Sequence, residues 1–194
     1  MKKETRQIIH FGVLGGGDSR RWAGNPKALG NHFGSPLAQV MVYRLSWQSV
    51  LLGLCVREDQ VSWATRLSLP LIIEPVSDFP AGPMKGAWSL LLAAREQGIS
   101  WVLVTACDMP WLPLDVGHRL YQLAQAEQTK GAVLCDALGR HSLCFLLHVD
   151  CIDAIERLLQ SGEQRVGRYL SELKLSRYRW QYDPAILMNR NKPN

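Results

Sequence analysis

The sequence predicts a three-layer α/β/α sandwich built on a mostly parallel sheet. Apolar runs of strand length alternate with helix-like segments, and the loops between them are short. The strongest run, WVLVTA (101–106), is apolar without interruption. An unbroken run suits a parallel strand covered on both faces, and strict alternation places helices on both sides of one sheet.

QIIHFGVL (7–14) reads as a buried strand ending at Gly15. Pro36 opens a helix in which Leu37, Val40, Met41 and Leu45 recur at helical spacing. SVLLGLCV (49–56) is a second strand, EDQVSWATRL (58–67) a short helix, and LPLIIE (69–74) a third strand. PVSDFPAGPMKG (75–86) is rich in Pro and Gly and reads as a loop, followed by a helix over 86–97. After WVLVTA, CDMPWLPLD turns the chain into a helix over 116–128, with Asp115 as its N-cap. GAVLCD (131–136) and SLCFLLHV (142–149) are further strands. DCIDAIERLLQ (150–160) is an amphipathic helix with Ile152, Ile155, Leu158 and Leu159 on one face. RVGRYLSEL (165–173) is another helix and LSRYRWQY (175–182) a last strand.

With 194 residues, 47% of them hydrophobic and 20% charged, the composition supports one well-cored domain over residues 1–194. The net charge of +5 favours anionic partners but is too small to name nucleic acid. No apolar run is long enough to cross a membrane, and MKKETRQIIHFGV leads into the first strand, not a signal peptide. The five cysteines are odd in number and none is paired as C-x-x-C. That argues against a zinc knuckle or a disulfide framework and for reduced thiols in the cytoplasm. The histidines show no helical ligand pair, and His10 and His148 read as core or edge residues.

In such sheets ligands bind at the carboxyl ends of strands. Three loops therefore matter: 15–27, 75–86 and 107–113. The first belongs to GVLGGGDSRRWAGNPKAL (12–29). It matches neither a P-loop nor a dinucleotide fingerprint, whose third glycine would fall at Arg20. Its glycines can still bring backbone N–H groups close to an anion, with Arg20, Arg21 and Lys27 adding charge. The other reading is a surface turn with solvated cations. Asp108, directly after WVLVTA, is either a ligand for a divalent cation or the cap of a turn. Gly82, Pro83 and Gly86 either simply start a helix or open its N-terminus to a ribose or base. Cys107 reads as a small buried hydrophobe. Trp22, Trp88 and Trp111 fall near this edge, where they either pack or stack on a ligand.

Taken in order, LGGGDSRRWAGNPKAL, FPAGPMKGAWSLL, ACDMPWLP, SGEQRV (161–166) and MNRNKP (188–193) resemble the motifs of molybdenum cofactor guanylyltransferases over nearly the whole chain. The resemblance implies a Rossmann-like nucleotidyltransferase fold. It also implies Mg2+-dependent transfer of GMP from GTP to molybdopterin, with release of pyrophosphate. Leu14, Gly15, Gly16 and Gly17 would line the nucleotide together with Gly82. Lys27 would contact its phosphates, and Arg20 and Arg21 would neutralise them. Asp108 would bind Mg2+ and nucleotide, while Asn189 and Asn191 would face the second substrate. GTP and molybdopterin are the implied partners, along with transient contacts to other cofactor-biosynthesis proteins or molybdoenzymes. The chain departs from the family pattern at Pro26, which precedes the lysine where Asp is usual. Gly53 is read as replacing an Asn after the second strand, and Glu74 an Asp after the third. These departures leave two alternatives: a sugar-phosphate nucleotidyltransferase, or a weak or inactive accessory protein that binds nucleotide or cofactor.

Overall fold

A computed structural model describes residues 8–16 and 26–187. Its main sheet has seven strands: β1 (Ile9–Leu14), β4 (Val50–Val56), β5 (Leu71–Ile73), β6 (Trp101–Ala106), β7 (Gly131–Cys135), β8 (His141–His148) and β9 (Ser176–Arg179). Their order across the sheet is β5-β4-β1-β6-β8-β7-β9. β8 alone runs against its neighbours; the other pairings, β1 with β4 and β6, β4 with β5, and β7 with β9, are parallel. The expected three-layer, mostly parallel α/β architecture is what forms.

Helices α1 (Leu37–Leu45), α2 (Val61–Ala64), α3 (Pro83–Glu96), α4 (Val116–Ala126), α5 (Ile152–Gln160) and α6 (Val166–Glu172) flank the sheet. On one face Ala38, Met41 and Leu45 of α1 and Val116, Leu120 and Ala124 of α4 pack with Phe11, Val13 and Leu103. On the other, Ala87, Leu90 and Leu91 of α3 and Ile152, Ile155 and Leu159 of α5 pack with Val102, Val104 and Phe145. Full burial of such a side chain is worth about 1.5–3 kcal/mol, so α5, charged on its other face, is held by its apolar stripe.

Several elements differ from expectation. Residues 58–67 form no continuous helix. Two 3-10 turns, Glu58–Gln60 and Thr65–Leu67, flank the single α-turn of α2. The Gln60 side chain turns back to accept the Arg57 N–H at 3.1 Å, a capping-box contact at the start of the first turn. α3 begins at Pro83, inside the segment read as loop, because Pro suits the first helical position. A small hairpin of β2 (Asn31–His32) and β3 (Ser35–Pro36), which the sequence did not signal, precedes α1.

The chain order fixes where a ligand can enter. β1 leads to β4 and β5 on one side, and the chain then crosses to β6 on the other. The exits of β1 and β6, paired from Ile9↔Trp101 to Leu14↔Ala106, therefore flank the point where the connections diverge. Such switch points leave a crevice at the carboxyl edge of the sheet.

Candidate active site

β1 ends in backbone that a side chain would obstruct. Gly15 continues the ladder by donating its N–H to the Cys55 carbonyl at 2.9 Å. A Cβ there would fall 2.8 Å from Leu54 Cδ1, closer than packing allows. A Cβ on Gly16 would instead meet polar atoms, Gln60 Oε1 at 3.3 Å and Glu74 Oε1 at 3.6 Å. The glycine at position 15 thus has a packing cause, the close approach of β4, and Gly16 leaves open the edge facing Gln60 and Glu74.

After the Pro26 bend, a 3-10 turn over Lys27–Leu29 is anchored by buried Ala28. It carries Lys27 back to the crevice. Across it, Cys107 donates its N–H to the Leu14 carbonyl at 3.2 Å, extending β6 onto the tip of β1. The next residue, Asp108, is buried, and its Oδ2 accepts from Lys27 Nζ. Two residues 81 positions apart thus meet at the switch point. The role of Asp108 is tertiary and not that of a turn cap. Asp115 does occupy the N-cap position of α4, but its carboxylate pairs with Arg119 at 2.9 Å and makes no capping bond. Burial pushes the Cys107 thiol up to about 12, with Asp108 adding to the rise, which leaves it protonated and inert as a nucleophile.

Glu74 follows β5 and is held by its N–H, which donates to the Val56 carbonyl at 2.9 Å. Burial raises its carboxyl above the ordinary carboxylate range, while Lys85 and Arg57 pull the other way. Its Oε2 is buried and has no hydrogen-bond partner among the described residues. A Cβ on Gly86, in the first turn of α3, would lie 2.8 Å from Leu14 Cδ2 and 3.5 Å from Glu74 Oε1. Gly86 therefore lets the start of α3 settle against the tip of β1 with Glu74 beside it. Gly82 precedes that turn and its carbonyl accepts from Lys85 N at 3.1 Å.

The structure brings Leu14, Gly15, Gly16, Lys27, Glu74 and Asp108 to one edge, with Gly82 at the entrance of α3. Gly17, Arg20, Arg21, Asn189 and Asn191 lie outside the described residues. Gly53 requires a correction. It sits inside β4, opposite Gly12, where a Cβ would lie 2.8 Å from Ile72 Cγ1 and 3.1 Å from the Pro70 carbonyl. It faces no opening, and the residue that follows β4 is Arg57. Arg57 and Gln60 were missed at the edge because only the pairing of β4 with β5 brings them beside Glu74. In the SGEQRV segment, the Glu163 carboxylate caps the chain before α6. It accepts the N–H groups of Gln164 at 3.0 Å and Arg165 at 2.9 Å, and it pairs with the Arg165 guanidinium. Trp88 is buried in the core, whereas Trp111 is 45% exposed.

Residues 12–177 match the model of the MobA-like NTP transferase domain. The chain is 31% identical over 185 residues to a molybdenum cofactor guanylyltransferase of Rhodopseudomonas palustris strain HaA2, covering 93% of this chain and 86% of that one. It is 29% identical over 175 residues to its namesake in Nitrobacter hamburgensis, covering 89% and 83%. The crystal structure of molybdopterin-guanine dinucleotide biosynthesis protein A from Archaeoglobus fulgidus has the same fold. Its TM-score is 0.74 at 20% identity, covering 95% of this chain and 93% of that one. A glycine-tipped strand, a lysine and a carboxylate meeting at the switch point, and a family match over most of the length agree: the chain belongs to the MobA-like NTP transferase family.

Proposed function

We propose that this protein is a molybdenum cofactor guanylyltransferase that works in the cytoplasm. It moves GMP from GTP to molybdenum-bearing molybdopterin and releases pyrophosphate. The observation that carries this reading is the Lys27–Asp108 contact at the neighbouring exits of β1 and β6. In the free chain each group neutralises the other. An arriving triphosphate gives Lys27 stronger anions to follow, and the Gly16 N–H just past the tip of β1 offers a further donor. That releases the Asp108 carboxylate to hold a divalent cation.

The donor set suits Mg2+, which takes one or two protein carboxylates plus phosphate and water oxygens. Among the described residues, no three His, Cys, Asp or Glu side chains cluster as a softer or self-sufficient metal cage would require. When bound, Mg2+ supplies charge neutralisation on the triphosphate and on the departing pyrophosphate. A terminal phosphate oxygen of the acceptor forms a bond to the α-phosphorus of GTP. The bond from that phosphorus to the bridging oxygen breaks, and its electron pair leaves with pyrophosphate. Such transfer needs positioning and charge stabilisation, with no covalent protein intermediate. Lys27 steadies the phosphates, and Arg20 and Arg21 join it in this reading. Glu74 suits guanine because a carboxylate presents two acceptors to adjacent N–H donors. The five buried free thiols agree with a reducing compartment.

The decisive test is pyrophosphate release from GTP when molybdopterin and Mg2+ are supplied. Wild type should turn over with GTP in preference to ATP, CTP or UTP. Asp108→Asn should lose about a hundredfold or more, the scale of deleting one electrostatic stabiliser in an active site. Turnover with a sugar phosphate instead of molybdopterin, or nucleotide binding without any turnover, would refute the assignment.

A further inference from the structure

Beside the Lys27–Asp108 pair stands an aromatic cluster that phosphate chemistry does not use. The β2–β3 hairpin turns through Phe33 and Gly34, both left-handed, with φ of 50° and 88°. Turns of this kind favour Asn, Asp or Gly at both positions, and a bulky side chain there is strained. Phe33 accepts that strain while remaining 80% exposed, so burial of its ring offers no compensation. Strain of this sort concentrates at ligand-handling sites. The Phe33 ring stands edge-on to buried His32 at 4.7 Å and to Trp111 at 6.3 Å. His32 in turn meets Trp111 at 5.0 Å.

The same two segments are thus tied twice, once by Lys27 and Asp108 and once by these rings. Trp111 follows Asp108 by three residues, so their Cα atoms lie within about 11 Å of each other. The cluster also has a defined side. Ala28, Met109 and Leu112, which flank it in sequence, pack into the layer of α1 and α4. Leu14 and Cys55, against which Gly86 rests, belong to the layer of α3. A nucleotide with its base toward Glu74 and its phosphates at Lys27 leaves the opposite rim to the attacking molecule.

We propose that Phe33 and Trp111, braced by His32, form a stacking platform for the fused heteroaromatic ring of the acceptor, a pterin that carries the attacking phosphate. The platform rests on the guanylyltransferase reading above for its occupant. Stacking a heteroaromatic ring on such side chains strengthens binding about ten- to a hundredfold.

The test separates the platform from the overall activity by measuring binding without nucleotide. The probe is oxidised 6-(hydroxymethyl)pterin phosphate, followed by quenching of its own fluorescence. Phe33→Asn installs the residue that the turn prefers and should raise Tm by about 2 to 4 °C. Both Phe33→Asn and Trp111→Leu should weaken pterin binding about tenfold or more, and Trp111→Phe should restore most of it. Thermal stabilisation by Mg-GTP should be the same in all of them. Unchanged pterin affinity in both variants, a loss that falls on GTP instead, a lowered Tm for Phe33→Asn, or a wild type that binds no pterin would each overturn the platform. A wild type that binds pterin through these residues yet transfers no GMP would leave the platform standing and overturn the activity.

Discussion

Glu74 holds a carboxylate oxygen out of water with no donor among the described residues to meet it. Leaving such a group unsatisfied costs about 1–3 kcal/mol, so in the free protein the side chain is a liability that a ligand can relieve. Burial raises its carboxyl, which means that the folded state binds the proton more tightly than the unfolded chain does. The associated stability is fully present below the ordinary value of 4.5 and is lost as pH rises through the raised one. Glu74→Gln removes that titration. Melting curves from about pH 4 to pH 8 should show the variant as stable as wild type or more so at the upper end, with the difference shrinking toward acid. If Glu74 holds the guanine edge, the same variant should bind GTP about ten- to a hundredfold more weakly, the loss expected for a hydrogen bond to a charged group. A variant that melts lower at neutral pH and keeps its GTP affinity would show that Glu74 braces the fold and does not read the base.

At the scale of elements, the right half of the sheet depends on a close crossing at Gly131. This residue opens β7 opposite Leu147 of β8, and a Cβ on it would fall 2.2 Å from the Leu146 carbonyl oxygen. That atom belongs to the backbone and cannot swing aside. Gly131→Ala should therefore cost about 3 kcal/mol or more and lower Tm by roughly 6 to 12 °C. Thermal unfolding within 2 °C or so of wild type would mean that the β7–β8 pairing yields more easily than its register suggests. The sequence makes some elements plain and hides others for physical reasons. WVLVTA and the stripe of Ile152, Ile155 and Leu159 announce themselves because burial on two faces, or on one helical face, leaves a pattern in the residues. The β2–β3 hairpin leaves none, since Phe33 occupies a seat where Asn would have signalled a turn. EDQVSWATRL looks helical in composition, yet it divides into two 3-10 turns around the single α-turn of α2. Gly53 is matched to a family residue that follows the second strand, whereas here it makes room for Ile72 in mid-strand. Lys27 and Asp108 were legible singly as strand-tip residues, and their meeting follows from the pairing of β1 with β6.

Across the whole molecule, five thiols report on how the fold opens. Cys55, Cys107, Cys135, Cys144 and Cys151 are all free and all buried. Burial is the leading cause that raises each of them, Cys107 to about 12 and Cys151 to about 11. A raised thiol stabilises the folded state below its ordinary value of 9.0, and that contribution is lost as pH climbs through the raised values. Stability should therefore fall progressively above about pH 9. The same burial governs reactivity, because the thiolate is the reactive form and a buried thiol must first be exposed. At about pH 8 a thiol-reactive chromophore should modify none of the five rapidly in the native protein and all five after denaturation. Cys55, whose thiol donates to the Gly86 carbonyl at 3.5 Å, and Cys107, beside Asp108, sit under the strand tips where nucleotide would bind. A ligand that binds only the native state suppresses openings that destroy its site, by a factor of 1 + [L]/Kd. Saturating Mg-GTP should therefore slow labelling of Cys55 and Cys107 severalfold. Cys144 and Cys151, placed on β8 and just before α5, should be slowed only where they share the same global opening. Equal protection of all five would mean that the site opens only with the entire fold, and rapid labelling of any one in the native protein would contradict the burial itself.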